Sequence, residues 1–328
     1  MKILGQEVAP QGMGCWAIGG DFFAGDQSLG FADVDDQTSI RTVHAALDAG
    51  IRVFDTADVY GAGHSEKLLG TALRDHADAL IISKFGARFD EQSKQVLENE
   101  SNSDAVIPAI ESSLRRLQRE SIDIMLLHLN SLPVEKAAPF FDQLELARQS
   151  GKIRAYGWST DFPASVTAMA QRPGFVAVEH AMHVFMDVPS IQSAIETSHL
   201  TALIRSPLAM GILTGKFDSD SVLPRNDVRS MNSDRRDYFL DGRVNPRYLK
   251  NLAAVRELLQ SEGRSLSQGA LGWLMARSTS NLPLPGARTV AQIEENAGAL
   301  EHGPLPSAVM AEIETLVDRD PEGEPRAR

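Results

Sequence analysis

The 328-residue sequence has one cysteine, Cys15, so it can form neither an internal disulfide nor a thiolate metal cluster. It also lacks any run of about 18 apolar residues, the length that crosses a bilayer. The first ten residues, MKILGQEVAP, are interrupted too early by polar residues and proline to be a signal peptide. These absences predict a reduced, cytoplasmic protein without a membrane partner.

Positive charge is also scarce, because 32 Lys and Arg stand against 44 Asp and Glu, for a formal net charge of -12. Nucleic acids and anionic membrane surfaces bind clustered Lys and Arg, so we exclude both as main partners. A hydrophobic content of 43% is enough for a large core. We expect a small-molecule partner, and the sequence contains nothing that indicates an oligomeric state.

Short apolar runs alternate with longer amphipathic runs, which is the pattern of βα units. The predicted strands cover 13–18, 52–56, 79–85, 122–129, 153–158, 175–180, 201–205 and 281–284. The predicted helices include 37–49, 65–74, 104–117, 134–149, 163–170, 188–198 and 290–300. Eight such units predict an α/β fold of the (β/α)8 TIM barrel type, with a doubly wound open sheet as the alternative.

We predict a single barrel domain over residues 1–318. The segment 217–245 is charged and turn-rich, and a loop of this length is a lid, a binding loop or disordered. The polar stretch 319–328, which contains DPEGEPRAR, is predicted to be a flexible tail.

Titratable side chains follow three successive predicted strands. Asp55 ends the second strand, with Tyr60 in the loop after it, while Lys84 and His128 end the third and fourth strands. Taken singly, each residue has an ordinary structural explanation, such as a turn acid, a packing tyrosine, a solvated lysine or a structural histidine. Because a barrel places its chemistry at the carboxyl ends of its strands, their coincidence there favours an active site.

These four side chains suit proton donation to a carbonyl oxygen. A tyrosine hydroxyl has an ordinary pKa of about 10, and a nearby ammonium stabilises the phenolate, so we expect Lys84 to lower the pKa of Tyr60. Asp55 would keep Lys84 charged and oriented, and His128 would donate a hydrogen bond to the substrate carbonyl. The set would stabilise negative charge as it develops on that oxygen.

These and three later motifs make the chain similar to the aldo-keto reductase family over nearly its whole length. The stretches FDTADVYGAGHSEKLLG, SKF and LLH resemble the family's segments around its catalytic Asp and Tyr, Lys, and His. The stretches YGWST, SPLAMGILTGK and LPGARTVAQIEENAGAL resemble the sites of the nicotinamide amide, the pyrophosphate and the adenosine phosphate. CWAIGG and the charged insertion resemble the bacterial and channel-subunit branches more than the steroid-metabolising branch.

The resemblance implies an NADPH-dependent oxidoreductase that reduces an aldehyde or ketone, or reversibly oxidises a sugar or alcohol. The implied catalytic residues are Asp55, Tyr60, Lys84 and His128, with Tyr60 as the proton donor. The implied cofactor-binding residues are Ser159, Thr160, Glu179, Arg205, Ser206, Leu208, Lys216, Gly286, Arg288, Gln292, Glu295 and Asn296. Trp16 is implied to wall the substrate pocket. Arg288 and Gln292 are the basis for preferring NADPH, with NADH as a weaker cofactor, since a guanidinium suits a 2′-phosphate.

Three positions depart from the family pattern. Thr160 stands where asparagine is usual, Glu179 where glutamine is common, and Arg205 where an aromatic residue often stacks on the nicotinamide. The carboxylate of Glu179 can accept from the carboxamide NH2 but cannot donate to its oxygen. A guanidinium is planar, so Arg205 can still stack.

Two further function classes stay open at this point. Some family members resemble regulatory subunits that bind NADPH and report redox state to an ion channel, with weak turnover. The second class is a barrel enzyme that does not use nicotinamide, either a Schiff-base aldolase using Lys84 or a glycosidase pairing Asp55 with Glu179. No metal site is predicted, because His180 and His183 would point to opposite faces of a strand.

Overall fold

The computed structural model describes residues 1–224, 227–229 and 237–323. Eight parallel strands form its main sheet: β1 Met13–Gly14, β2 Val53–Asp55, β3 Leu80–Phe85, β4 Ile122–Leu127, β5 Ile153–Ser159, β6 Phe175–Ala181, β7 Thr201–Arg205 and β8 Asn281–Pro283. Each strand pairs with the one before it in the chain. The backbone N–H groups of Gly12 and Gly14 donate to the carbonyls of Pro283 (3.0 Å) and Pro285 (3.1 Å). These bonds join the first strand to the last and close the predicted (β/α)8 barrel.

The α-helices of the described residues connect the strands. They are α1 Asp36–Asp48, α2 His64–Ala72, α3 Val106–Leu117, α4 Val134–Gln149, α5 Pro163–Met169, α6 Pro189–Thr197, α7 Pro246–Leu259, α8 Leu266–Arg277, α9 Val290–Ala297, α10 Ala299–His302 and α11 Ser307–Leu316. Asp35 caps α1 by accepting from the Thr38 N–H (2.8 Å), and Ser265 forms a capping box at α8. No helix of the described part is long and apolar enough to cross a membrane.

Two predicted elements differ from the observed ones. The strand predicted over 13–18 ends at Gly14, because Cys15 (φ -102°, ψ 10°) leaves the extended conformation and a 3₁₀ turn, Trp16–Ile18, follows. The helix predicted over 290–300 is divided at Gly298 into α9 and α10.

The barrel interior is filled by aliphatic side chains of the strands. They form a cluster with Ile3 and Val8 that includes Val53, Leu80, Ile82, Ile124, Leu126, Leu203 and Leu282. Ile3 belongs to a short amino-terminal hairpin, Lys2–Ile3 with Gln6–Glu7. Gln6 donates to the Asp78 carbonyl just before β3, so the hairpin covers the amino ends of the strands and leaves the other end of the barrel for chemistry.

A second sheet that the sequence did not predict lies at the carboxyl ends of the strands. Its strands are Phe23–Ala24 and Gln27–Ser28 from the loop after β1, and Ala87–Asp90 and Gln95–Asn99 from the loop after β3. An apolar cluster lies beneath it, made of Phe22, Ala57, Val59, Trp16, Leu29, Tyr60, Ala87, Phe89 and Val96. This four-stranded sheet therefore covers the loop that carries Tyr60.

Two segments singled out in the sequence are partly described. Within 217–245, a hairpin joins Phe239–Leu240 to Arg243–Val244, and residues 225–226 and 230–236 lie outside the described residues. Of the stretch 319–328, Arg319 donates to the Val184 carbonyl (2.7 Å) and Asp320 pairs with Arg247 (2.6 Å). Residues 324–328 lie outside the described part, and a flexible tail there stays a prediction.

Candidate active site

Three of the four predicted catalytic residues meet around one buried ammonium. Lys84, near the carboxyl end of β3, is 0% exposed. Its Nζ donates to Asp55 Oδ2 at 2.7 Å, to the Thr56 carbonyl at 2.8 Å and to the Tyr60 hydroxyl at 3.5 Å. Because β2 and β3 are neighbours in the barrel, the acid, the amine and the phenol converge at one point of its rim.

Glycine is required where the loop turns after Tyr60. Gly61 has φ +62°, and a Cβ there would lie 1.9 Å from the Gly19 carbonyl oxygen. Gly63 has φ +90°, and a Cβ there would lie 2.7 Å from Arg116 Cδ. The two glycines let the loop pass close to its neighbours, and this path holds Tyr60 over the rim.

His128 and Trp16 border the tyrosine ring. The His128 ring is edge-on to Tyr60, with ring centroids 6.1 Å apart and planes at 87°. The backbone N–H of His128 donates to the Phe85 carbonyl (2.7 Å), which places the residue just beyond β4. The Trp16 ring lies 6.3 Å from Tyr60 and its Nε1 donates to the Leu29 carbonyl (3.0 Å). The predicted tetrad and the predicted pocket wall are therefore neighbours.

A second carboxylate reaches the same ammonium from the other side of the barrel. Glu179, on β6, is 2% exposed, and its Oε2 lies 3.1 Å from Lys84 Nζ. Burial raises the pKa of Asp55 to about 7 against the lowering effect of Lys84, and the charge of Glu179 adds to the rise. Burial alone would lower the pKa of Lys84, but the charges of Asp55 and Glu179 outweigh it and raise that pKa.

The pKa of Tyr60 differs from the sequence-based expectation. We predicted that the pKa of Tyr60 is lowered, whereas burial raises it to about 12. Lys84 does act to lower this pKa, but the negative charges of Glu179 and Asp55 oppose it. From the sequence only Asp55 was expected beside Lys84, whereas in the structure Glu179 lies there as well.

Several buried polar atoms at the barrel mouth have no hydrogen-bond partner among the described residues. They include Asp55 Oδ1, Ser159 Oγ and Glu179 Oε2, the last being in ion-pair range of Lys84 without hydrogen-bond alignment. Ser159 and Glu179 are opposite each other on the paired strands β5 and β6. A buried polar group is costly unless it is bonded. The oxygens of Ser159 and Glu179 therefore fit the amide of a bound nicotinamide, the role that the resemblance implies for these two residues.

Thr160 and Arg205, the other two residues that depart from the family pattern, form hydrogen bonds with other residues of the chain. Thr160 Oγ1 donates to the Asn130 carbonyl (2.7 Å). Arg205 Nη2 donates to both carboxylate oxygens of Asp161 (2.9 and 2.8 Å), and Asp161 also accepts from the Ala181 N–H (3.1 Å). Asp161 was not predicted as a site residue, and its one signal in the sequence is its position directly after the YGWST motif.

The segment after β7 has an unusual backbone. Ser206, Ala209 and Met210 have φ values of 54°, 48° and 55°, and Gly211 has 96°. Leu208 is buried at the start of the turn Ala209–Thr214. At Leu208 (φ -105°) and Ala209 a right-handed residue is followed by a left-handed one, and such a pair turns successive N–H groups toward one concavity, which is suited to an anion. This segment fits the predicted pyrophosphate site.

Three cations lie together beside that segment. The guanidinium carbons of Arg229 and Arg288 lie 5.7 and 5.8 Å from the centre of the Phe31 ring. Arg229 and Lys216 both lie over Phe217, at 5.5 and 4.9 Å. Burial lowers the pKa of Lys216, and the charges of Arg229 and Arg288 add to this. In a protein of net negative charge, cations held this close fit a phosphate group.

Arg229 was not predicted individually, although it lies in the charged segment 217–245. Its guanidinium pairs with Asp227 (2.5 Å) and donates to the Met210 carbonyl (3.4 Å). A basic residue in a long loop near a phosphate motif is a weak signal, because the sequence does not show toward which strand the loop folds.

The residues predicted for the adenosine end lie at the start of α9. Gln292 Oε1 accepts from the Arg288 N–H (2.8 Å), and Asn296 is buried with Nδ2 3.5 Å from the Gly286 carbonyl. Gly286 forms a parallel bridge with Gly14 of β1. Glu295 is exposed on the same helix. The structure thus places the three predicted parts of the cofactor site along β5 to β8.

A model of the Aldo/keto reductase family matches residues 12–318. The chain belongs to this family. The aldo-keto reductase YhdN of Bacillus subtilis is 29% identical over 305 residues, covering 88% of this chain and 84% of the relative. The structure of the glycerol dehydrogenase of Gluconobacter oxydans superposes with a TM-score of 0.81 at 28% identity, covering 96% of this chain and 94% of the other. A Klebsiella pneumoniae aldo-keto reductase solved with NADPH has the same fold, with a TM-score of 0.69 at 21% identity and coverages of 99% and 96%.

Family membership makes this aldo-keto reductase an NAD(P)H-dependent oxidoreductase. It confirms the resemblance stated from the motifs, including the likeness to bacterial members. The family uses NADP(H), which is the cofactor that the sequence predicted. The aldolase and the glycosidase interpretations are excluded.

Proposed function

We propose that this aldo-keto reductase uses NADPH to reduce an aldehyde or a ketone, and oxidises the corresponding alcohol or sugar in reverse, with Tyr60 as the proton donor. The observation that carries the proposal is the position of Lys84 Nζ, which contacts both Asp55 (2.7 Å) and the Tyr60 hydroxyl (3.5 Å). Through this contact, the buried positive charge of Lys84 stabilises the phenolate that forms when Tyr60 gives up its proton.

Tyr60 is protonated at neutral pH, because burial raises its pKa to about 12. Negative charge that develops on a carbonyl oxygen makes that oxygen basic enough to take the proton. The ammonium of Lys84 then stabilises the phenolate, and Asp55 keeps the ammonium in place. His128, edge-on to the tyrosine ring, directs the carbonyl oxygen by a hydrogen bond.

When bound, NADPH supplies the hydride. Ser159 and Glu179 would hold its carboxamide, and Arg205, fixed by Asp161, would stack on the ring. The pyrophosphate and adenosine end would be held by Ser206, Leu208, Lys216, Gly286, Arg288, Gln292, Glu295 and Asn296. Thr160 would support the amide site from the second layer, because its hydroxyl is bonded to Asn130. The guanidinium of Arg288 favours NADPH over NADH.

The substrate would lie against Trp16 beneath the four-stranded sheet, beside Tyr60 and His128. Apolar side chains of that sheet, among them Phe89 and Val96, contribute to the cluster around Tyr60. The Gluconobacter relative is named a glycerol dehydrogenase, so polyols belong among the compounds to be tested together with aldehydes, ketones and aldoses.

The test combines steady-state NADPH oxidation over this panel with a fluorescence titration of NADPH. In Tyr60→Phe we expect turnover to fall by at least about 100-fold, the usual contribution of a positioned proton donor, with NADPH affinity unchanged. A Tyr60→Phe protein of near wild-type activity would remove Tyr60 from this role. Turnover near background in the wild type, together with tight NADPH binding, would support the redox-sensing alternative instead.

A further inference from the structure

The carboxylate of Glu179 is an addition to the predicted tetrad. It lies on β6, while Lys84 lies on β3, so the two side chains meet across the barrel interior at 3.1 Å. Among the described residues, the ion pairs of Asp55 and of Glu179 both use Lys84. Nearby Arg205 is already matched by Asp161. Two buried carboxylates thus face one ammonium, and the mouth carries surplus negative charge.

This surplus negative charge lies beside the site proposed for the nicotinamide carboxamide. Glu179 is paired in register with Ser159, and in the part of the chain that the structure describes, neither buried oxygen, Ser159 Oγ or Glu179 Oε2, has a hydrogen-bond partner. We propose, on the basis of the function proposed above, that Glu179 makes the site bind the oxidised cofactor in preference to the reduced one. The physical reason is charge, since the nicotinamide ring is positive in NADP+ and neutral in NADPH. The phosphates are common to both forms and cancel in the ratio of their dissociation constants.

The preference depends on pH in a defined direction. The groups that face Glu179 are Lys84, Asp55 and Tyr60, with His128 beside the tyrosine. Asp55 has a pKa of about 7, so its charge, and with it the surplus, increases as the pH rises through 7. Replacing Glu179 by glutamine removes an influence that raises the pKa values of both Asp55 and Tyr60. The preference in that variant is expected to be smaller and nearly independent of pH.

The experiment measures dissociation constants of NADPH and NADP+ by fluorescence and calorimetry at about pH 6 and about pH 8.5. One unit charge about 4 Å from another, at an effective dielectric constant near 20, changes binding by up to about 1,000-fold; because Lys84 offsets part of the Glu179 charge, we expect at least about ten-fold. We expect the ratio of the NADPH to the NADP+ constant to rise with pH in the wild type. In Glu179→Gln at the higher pH the ratio should be about ten-fold lower. Glu179→Asp, which keeps the charge, should restore most of the preference.

Glu66→Gln is the matched control, because Glu66 is also 0% exposed but pairs with Arg116 (2.7 Å). It should leave the ratio unchanged. The inference is overturned, with the proposed function intact, if both forms bind and the ratio is the same in wild type and Glu179→Gln. Both fail if neither form binds the wild type. If Glu179→Gln does not fold, the wild-type pH series decides, and a constant ratio overturns the inference.

Discussion

Replacing Lys84 with methionine tests the charge balance of the site directly. Methionine is similar to lysine in length and shape, so the change removes the ammonium while leaving most of the packing. Lys84 is 0% exposed and contacts Asp55 at 2.7 Å and Glu179 at 3.1 Å. Without it, two buried carboxylates remain, and among the described residues neither has another ion-pair partner.

Removing one partner of a buried ion pair typically costs about 3–5 kcal/mol of unfolding free energy. We expect Lys84→Met to lose up to this amount at about pH 8.5, where Asp55 is charged in the wild type and gains most from the ammonium. At about pH 5.5 the loss should shrink to about 1–2 kcal/mol, the cost of the missing hydrogen bonds, because Asp55 is then protonated in both proteins.

The direction in which stability changes with pH follows from proton linkage. The pKa of Asp55 is already raised to about 7, so the folded protein binds more protons than the unfolded chain, and stability falls as the pH rises from about 4 toward 7. Loss of the ammonium removes the charge that lowers the pKa of Asp55, so this pKa rises further and the fall in stability extends to higher pH.

Urea denaturation of both proteins at the two pH values is the assay. Lys67→Met is the control, because Lys67 is 51% exposed and pairs with Glu91 at the surface, so it should cost less than about 1 kcal/mol at either pH. A loss in Lys84→Met below about 1 kcal/mol at high pH, or one that does not change with pH, would refute the account of the site.

Two further predictions concern the cofactor and the loop of Tyr60. Arg288→Ala should weaken NADPH binding at least about ten-fold more than NADH binding, because a guanidinium pairs with the 2′-phosphate that NADH lacks; titration of both cofactors checks this, and equal losses would contradict the assignment. Gly61→Ala should lower turnover and cost about 2 kcal/mol or more of stability, since its Cβ would meet the Gly19 carbonyl at 1.9 Å. Thermal unfolding with kinetics measures both effects, and a stable, fully active variant would show that the loop tolerates a different path.

The barrel and the catalytic cluster could be predicted because both depend on local patterns. Strands buried on both faces are apolar on nearly every residue, and IDIMLL of β4 lies where that pattern placed it. Asp55 and Lys84 interrupt or end such runs, and the closed parallel sheet brings the ends of neighbouring strands together. Order along the chain was therefore enough to predict that these two residues are neighbours.

The parts that could not be predicted depend on contacts between distant segments. The four-stranded sheet combines hairpins from two loops, and neither hairpin has a strong period of its own. Arg229 reaches Phe31 only through the path of a long insertion. The pKa of Tyr60 is raised mainly by burial, and Glu179, which adds to the rise, meets Lys84 across the barrel and not along the rim. Predicting each of these features requires knowing the distance between side chains that are far apart in the sequence.

The four-stranded sheet has a mechanical consequence for the donor. The sheet joins the loop after β1 to the loop after β3, and the loop that carries Tyr60 packs between them. The phenol is then held in its working position before any reactant arrives, and little reorganisation is left for the reaction itself. Substitutions in the two hairpins can therefore change the shape of the substrate entrance while the position of Tyr60 is kept. Substrate selectivity and proton donation then depend on different segments of the chain.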